Sequence, residues 1–129
     1  DELINIKRRL GQYYQKRLFD IPGIRFQIEK PWAKTVYWMY SIKLDDSLEI
    51  AANELIGKLK EKGIGTRPFF TGLHEQPVLN KMGLFRNESY PLAESAGKMG
   101  LYLPSGLTLT EKQIDFICGT LKKLLSYSK

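Results

Sequence analysis

The spacing of apolar residues changes along this chain, and that change limits the folds it can adopt. Residues 3–19 carry apolar side chains three, four and seven positions apart, which predicts an amphipathic helix that ends at Pro22-Gly23. Residues 24–28 and 35–44 instead alternate from one position to the next, which predicts two strands joined by a loop. The chain therefore begins helix, strand, strand.

Helical spacing then returns. Asp46 and Glu49 have the spacing of a capping box and predict a helix that closes at Gly63. A third strand is expected over residues 64–70, followed by a loop through Pro77. The chain thus supplies three strands, and helical segments to cover them.

The last fifty residues predict three more helices. Two short ones, over residues 77–83 and 90–100, begin near a proline and close at a glycine, and residues 101–106 are extended and turning. Thr110 and Gln113 form a second capping box before a helix that places Cys118 among apolar neighbours, as a buried structural thiol. The expected fold is an α+β domain with a small three-stranded, at least partly antiparallel sheet covered by helices.

Composition narrows the possible functions. A chain of 129 residues is one domain, and its apolar runs are too short to cross a membrane. One cysteine and one histidine exclude an internal disulfide, a multi-thiolate site and a multi-histidine zinc site, so no metal site is predicted. A single reduced thiol favours the cytoplasm. The charged, helical start without a methionine is typical of a cut through a longer protein.

The net charge of +6 keeps a nucleic-acid-binding function open. In that alternative, Arg25, Lys43 and the aromatic residues of the second strand form a stacking platform for single strands. The basic residues are however spread along the chain among fourteen acids, which weakens this reading. A small regulatory module is a further alternative. The second strand is aromatic on both faces, which indicates a ligand or partner surface.

The segment "TRPFFTGLHEQP", from Thr66 to Pro77, holds the chemically most interesting side chains. Arg67 precedes a proline, which favours extended backbone, and its guanidinium can hold a carboxylate or phosphate with two hydrogen bonds. His74 can bond a hydroxyl or phosphate, or exchange protons near neutral pH. Neither residue requires a ligand, however: Arg67 could pair with a nearby acid, and His74 could bond to the backbone. No catalytic set, and no glycine-rich phosphate loop, is present in the sequence.

Three stretches together resemble a known family. "GIGTRPFFTGLHEQP", "YPLAESAGKMGLYLPSGLTLTEKQI" and "VYWMYSIKL" are similar to the C-terminal domain of the DegT/StrS sugar aminotransferases, in particular the perosamine-synthetase-like branch that acts on nucleotide-linked 4-keto sugars. The resemblance covers essentially all 129 residues. One departure is Thr71-Gly72, where many relatives carry a proline before the Leu-His pair.

The resemblance implies a role within a larger enzyme. Such enzymes use pyridoxal 5'-phosphate in a ping-pong transamination, with glutamate as the amino donor, and function as homodimers. The cofactor and its Schiff-base lysine belong to a large N-terminal domain, so no catalytic residue is expected here. Residues 1–129 would form the small domain, with residues 1–20 as the end of the helix that connects the two.

The resemblance also implies the site residues. The Thr66–Pro77 segment corresponds to the part of the small domain that reaches the active-site cleft. His74, Arg67 and Phe70 are therefore the expected substrate contacts, with His74 nearest the sugar or its phosphates. The exposed aromatic face of "VYWMY" would lie against the large domain or the second subunit.

Overall fold

The computed structural model describes residues 1–126 as a four-stranded antiparallel sheet with helices on both faces. The elements, in chain order, are α1 (Glu2–Leu18), β1 (Ile24–Phe26), β2 (Tyr40–Leu44), α2 (Ala52–Glu61), β3 (Arg67–Pro68), a 3-10 helix at Leu73–Glu75, α3 (Pro77–Lys81), α4 (Pro91–Met99), β4 (Gly100–Leu103) and α5 (Glu111–Ser126).

The sheet confirms the α+β prediction but has one more strand than expected. Its order is β1-β2-β4-β3, and every neighbouring pair is antiparallel. The additional strand is Gly100–Leu103, expected to be only extended and turning. It lies inside the sheet and pairs with β2 on one side and β3 on the other. Its short "GLYL" sequence carries little strand signal of its own. It is a strand because partners distant in sequence pair with it on both sides.

The two faces of the sheet differ in what covers them. Cross-strand partners project to the same face, so Tyr40 and Leu103 lie together, as do Ile42 and Leu101. All four are buried, and with α1, α2 and α5 they form the main hydrophobic core. Tyr102, one position out of phase, projects to the opposite face, which α4 partly covers.

The second strand is shorter than its alternation predicts. It begins at Tyr40, because Tyr37 has a φ of 47°, a left-handed conformation that interrupts the strand. Tyr37 turns inward, is buried and stacks on Tyr40, while Val36 and Trp38 are exposed. The first strand also ends early, at Phe26, which leaves Ile28 exposed. The predicted two-sided aromatic strand is thus a strand preceded by an inward-folded loop.

The predicted first helix, residues 3–19, is confirmed as α1, which ends at Leu18, ahead of the Pro22-Gly23 pair. The predicted start of the second helix is wrong. Helix α2 begins at Ala52 rather than after an Asp46 capping box, and its N-cap Ala51 provides no side-chain hydrogen bond. The preceding residues form a turn, in which Leu48 packs on Gly23; a Cβ on Gly23 would lie 2.6 Å from the Leu48 Cγ.

The second capping box is confirmed. The Thr110 backbone N–H donates to Oε1 of Gln113 at 2.9 Å, and the Gln113 N–H donates to Oγ1 of Thr110 at 3.3 Å. Helix α5 follows and buries Cys118 as predicted, and burial raises the pKa of its thiol to about 12. Within residues 1–126, no helix is both long and apolar enough to cross a membrane.

Candidate functional site

The strand that carries Arg67 is an edge strand of only two residues. The sequence predicts a strand over residues 64–70, but only Arg67 and Pro68 pair with β4. Proline has no N–H to give to a sheet, so it is tolerated at such an edge and shortens the strand. Arg67 lies opposite Tyr102, on the face that α4 partly covers, and is exposed. Its guanidinium makes no ion pair or hydrogen bond with any residue that the structure describes. The alternative in which Arg67 pairs with a nearby acid is therefore not observed.

Two phenylalanines follow the edge strand and differ in exposure. Phe69 stacks on Tyr102 with ring centroids 4.6 Å apart, and a Cβ on Gly100 would come within 2.2 Å of the Phe69 ring. Glycine is therefore needed at the start of β4. Phe70 is 67% exposed, with its ring 5.7 Å from that of Tyr102. An exposed aromatic ring thus lies three residues from the unpaired guanidinium.

His74 is much less accessible than a loop position suggests. It lies in the 3-10 helix, and its side chain is only 8% exposed. Its Nε2 lies 3.3 Å from Oε1 of Glu94, within ion-pair distance, but the two atoms are not aligned for a hydrogen bond, and Nε2 is buried without another partner. The ring of Tyr90 lies 4.9 Å away. A ligand can reach this imidazole only at the edge away from Nε2.

That remaining edge lies beside Gly72. A Cβ built on Gly72 would come within 2.6 Å of Cε1 and 2.8 Å of Nδ1 of His74. Gly72 has a φ of −57°, which any residue can adopt, so the restriction at this position is one of space. Gly72 belongs to the pair at which the sequence departs from the resembled family, where many relatives carry a proline before Leu-His. This departure therefore lies directly beside the His74 imidazole ring.

Glu94 connects the histidine to the start of α4. Its Oε1 accepts hydrogen bonds from the Tyr90 backbone N–H at 2.7 Å and from the Ser89 hydroxyl at 3.0 Å. These bonds, together with the nearby His74, hold the pKa of Glu94 below its ordinary value. The same carboxylate thus caps a helix and lies against the imidazole.

A concavity of about 460 Å³ opens beside this carboxylate. The 70–75 segment and α4 form its walls and approach closely at Gly97, where a Cβ would lie 3.8 Å from the Phe70 carbonyl oxygen. Both acidic and basic side chains reach it. The lining residues are Thr71, Glu75, Pro91, Glu94, Ser95, Gly97 and Lys98.

The structure brings only part of the predicted set together. Arg67, Phe70 and His74 belong to one continuous segment beside the concavity, but none of the three lines it. Sequence reasoning missed Glu94 and Lys98, which do line it. The only available signal for Glu94 was the Ser89-to-Glu94 spacing around a helix-initiating proline, since its contact with His74 joins two separate elements.

The structure does not favour the nucleic-acid alternative. Tyr37 and Tyr40 are 5% and 2% exposed, so these aromatic residues cannot stack on bases. Arg25 is engaged by Asp45, with Nη2 and Oδ2 2.7 Å apart. Of the proposed platform, only Trp38 offers an exposed aromatic ring.

Comparison with known proteins identifies what this arrangement is similar to. The model of the DegT/DnrJ/EryC1/StrS aminotransferase family matches residues 1–122. GDP-perosamine synthase from Vibrio cholerae is 31% identical over 124 residues, which are 95% of this chain and 32% of that protein. The enzyme of the same name from Escherichia coli O157:H7 is 29% identical over 126 residues, 98% of this chain and 32% of its own. The chain thus spans about a third of these relatives.

Solved structures share the fold at lower identity. The sugar aminotransferase CalS13 from Micromonospora echinospora aligns with a TM-score of 0.77 and 22% identity, covering 95% of this chain and 31% of that one. The E. coli GDP-4-keto-6-deoxy-D-mannose-3-dehydratase with bound hydrated PLP aligns with a TM-score of 0.75 and 22% identity, covering 92% and 31%.

Proposed function

Because the chain belongs to the DegT/DnrJ/EryC1/StrS aminotransferase family, we propose that it is the C-terminal part of an enzyme that aminates a nucleotide-linked keto sugar. The match over residues 1–122 carries this proposal. Two GDP-perosamine synthases that align with nearly the whole chain support a nucleotide sugar as substrate. Glutamate is the proposed amino donor, and the cytoplasm the proposed location.

In this proposal the cofactor is bound mainly outside the chain. The residues of the concavity do not fit pyridoxal phosphate by themselves, because Glu75 and Glu94 would repel its phosphate and Lys98, exposed on α4, is the one lysine among the lining residues. We therefore assign no step of the cofactor's chemistry to this chain. Residues 1–129 are proposed as the small domain, residues 1–20 as the end of a connecting helix, and a preceding large domain as the holder of the cofactor and its lysine.

The proposed substrate contacts are Arg67, Phe70 and His74. An exposed arginine without an intramolecular partner is free to hold a phosphate or carboxylate through two charge-assisted hydrogen bonds. The exposed Phe70 ring offers a flat apolar surface to a base or sugar. His74 contributes through the ring edge beside Gly72, since its Nε2 faces Glu94.

The complete enzyme is proposed to be a homodimer. In it, an exposed apolar segment of this chain is proposed to lie against another part of the protein. Trp32, Val36 and Trp38 are 84%, 45% and 70% exposed and lie within seven residues of one another. Apolar side chains concentrated in this way favour contact with another polypeptide, here the large domain or the second subunit. Light scattering of the complete protein measures its oligomeric state, and a monomer at working concentration would contradict the homodimer.

The first experiment uses the complete protein that contains this sequence. It should show the visible absorption of a protein–pyridoxal aldimine, and borohydride reduction should label a lysine outside residues 1–129. It should also transfer the amino group of glutamate to GDP-4-keto-6-deoxy-D-mannose. A complete protein that takes up no cofactor and transfers no amino group would refute the proposed function.

Matched variants test the contacts. Arg67→Ala should raise KM for the keto sugar or for glutamate by about 10-fold or more, because a hydrogen bond to a charged group contributes about 1.5–3 kcal/mol. Arg25→Ala is the control, since Arg25 is also exposed but pairs with Asp45. Phe70→Ala is compared with Phe19→Ala, which removes a similarly exposed ring at the end of α1. Equal effects of test and control variants would contradict the assigned contacts.

A further inference from the structure

Glu94 has more contacts than a helix cap requires. Bonds from the Tyr90 N–H and the Ser89 hydroxyl already join its Oε1 to the residues at the start of α4. The same Oε1 also lies 3.3 Å from Nε2 of His74, on a different element. Nε2 is buried and has no other partner among the described residues, so Glu94 is the group that compensates its burial.

We propose that Glu94 is a positioning residue that holds His74 with Nε2 inward and offers Nδ1 to a hydroxyl group of the substrate. The inference rests on the proposed function, because it concerns how His74 meets the sugar. Nε2 of His74 and Oε1 of Glu94 lie 3.3 Å apart but are not aligned, so a small rotation of the ring is needed to complete the hydrogen bond. A carboxylate can only accept, so in that bond the neutral imidazole carries its proton on Nε2. The lone pair is then on Nδ1, since the bond made by one ring nitrogen sets the state of the other.

Two neighbours keep the imidazole in this orientation. The Tyr90 ring lies against it, with the two ring planes inclined by 57°. On the other side, Gly72 provides space that any Cβ would remove. The ring is thus confined between Tyr90, Glu94 and the Gly72 backbone. In the neutral ring held this way, Nδ1 is the nitrogen that accepts a hydrogen bond, and a substrate hydroxyl group is the proposed donor.

Nuclear magnetic resonance of the 129-residue chain tests the orientation directly, because the chain has one histidine. At a pH where the ring is neutral, long-range 1H–15N spectra should show the Nε2–H tautomer alone. Nuclear Overhauser effects should join Hε1 of His74 to the Hα atoms of Gly72 and to the Tyr90 ring. A wild-type chain with mixed tautomers, or without these contacts, would overturn the inference whether or not any variant folds.

Variants then separate positioning from helix capping. In Glu94→Ala the contacts to Gly72 and Tyr90 should be lost and both tautomers appear, while the backbone spectrum stays native outside α4 and the 70–75 segment. Glu94→Gln keeps an oxygen acceptor and should restore the Nε2–H tautomer. Glu49→Ala, which removes an exposed carboxylate elsewhere, should change neither signal. An unchanged imidazole in folded Glu94→Ala would show that Glu94 only caps α4.

Kinetics of the complete enzyme connects the orientation to the substrate. His74→Ala and Glu94→Ala should each raise KM for the keto sugar, by about 2- to 10-fold for one lost hydrogen bond between neutral groups. The double variant should be no worse than His74→Ala, because Glu94 acts through the imidazole. If His74→Ala leaves KM unchanged, the proposed sugar contact is wrong and this inference fails with it. If His74→Ala raises KM and Glu94→Ala does not, or the two effects add, only the positioning is wrong.

Discussion

At Gly11, helix propensity and tertiary packing predict opposite effects of the same substitution. Gly11 lies within α1, where alanine is more favourable than glycine by about 1 kcal/mol. The Tyr37 ring lies directly over it, however, and a Cβ on Gly11 would be 2.5 Å from Cγ and 2.6 Å from Cδ1 of that ring. Contacting carbon atoms are normally about 3.5–4.0 Å apart, so the ring would have to move by about 1 Å.

Tyr37 has little freedom to make that movement. Its side chain is 5% exposed, it stacks on Tyr40, and its φ of 47° is rare for a residue with a Cβ. Overpacking of a filled core costs about 1–3 kcal/mol, and a ring confined on its far side belongs in the upper half of that range. After subtraction of the helix-propensity gain, Gly11→Ala should lower the free energy of unfolding by about 1–2 kcal/mol.

Two other helical glycines provide matched controls. Gly57 in α2 and Gly119 in α5 have no atom within 4 Å of an added Cβ, so Gly57→Ala and Gly119→Ala should each raise the free energy of unfolding by about 1 kcal/mol. Urea unfolding followed by far-ultraviolet circular dichroism measures all three variants. In a Tyr37→Ala background, Gly11→Ala should become stabilising. If Gly11→Ala stabilises the otherwise unchanged chain as much as Gly57→Ala does, the packing argument is refuted.

Three further predictions concern the histidine, its carboxylate and the buried thiol. Gly72→Ala should displace the His74 imidazole, because the new Cβ would lie 2.6 Å from Cε1 of that ring. The displacement would be seen as a loss of nuclear Overhauser effects between His74 and Tyr90. Gly65→Ala is the control and should preserve these effects, since a Cβ on Gly65 has no atom within 4 Å. Glu94 has a folded-state pKa below its ordinary value of 4.5, so its carboxylate stabilises the fold above that pH and the contribution disappears as pH falls through the lower folded pKa. The stability difference between the wild-type chain and Glu94→Gln, from urea unfolding at several pH values, should therefore shrink below pH 4.5, and a constant difference would argue against the assignment. Cys118 is buried, and burial raises the pKa of its thiol to about 12. Ellman's reagent at pH 8 should therefore label it slowly in the folded chain and quickly in urea. Fast labelling of the folded chain would contradict its burial.

The sequence alone determined most of the helices and the class of the fold. A helix organises residues within a few positions of one another, so local spacing is enough to identify it. The apolar positions of α5 and the Thr110–Gln113 capping box each involve residues close together in sequence. The structure contains both the helix and the capping box. The family resemblance was likewise carried by short ordered motifs, which the match over residues 1–122 confirms.

Only the tertiary structure decided the inner strand Gly100–Leu103, the inward position of Tyr37 and the burial of His74. Gly100–Leu103 is a strand because β2 and β3 lie on either side of it, and those partners are distant in sequence. Tyr37 leaves the alternating pattern because Gly11, in a separate helix, makes space for its ring. His74 is buried because Glu94 and Tyr90 arrive from the region of α4. In each case the deciding interaction joins residues that no local pattern connects, so it becomes visible only when the chain is folded.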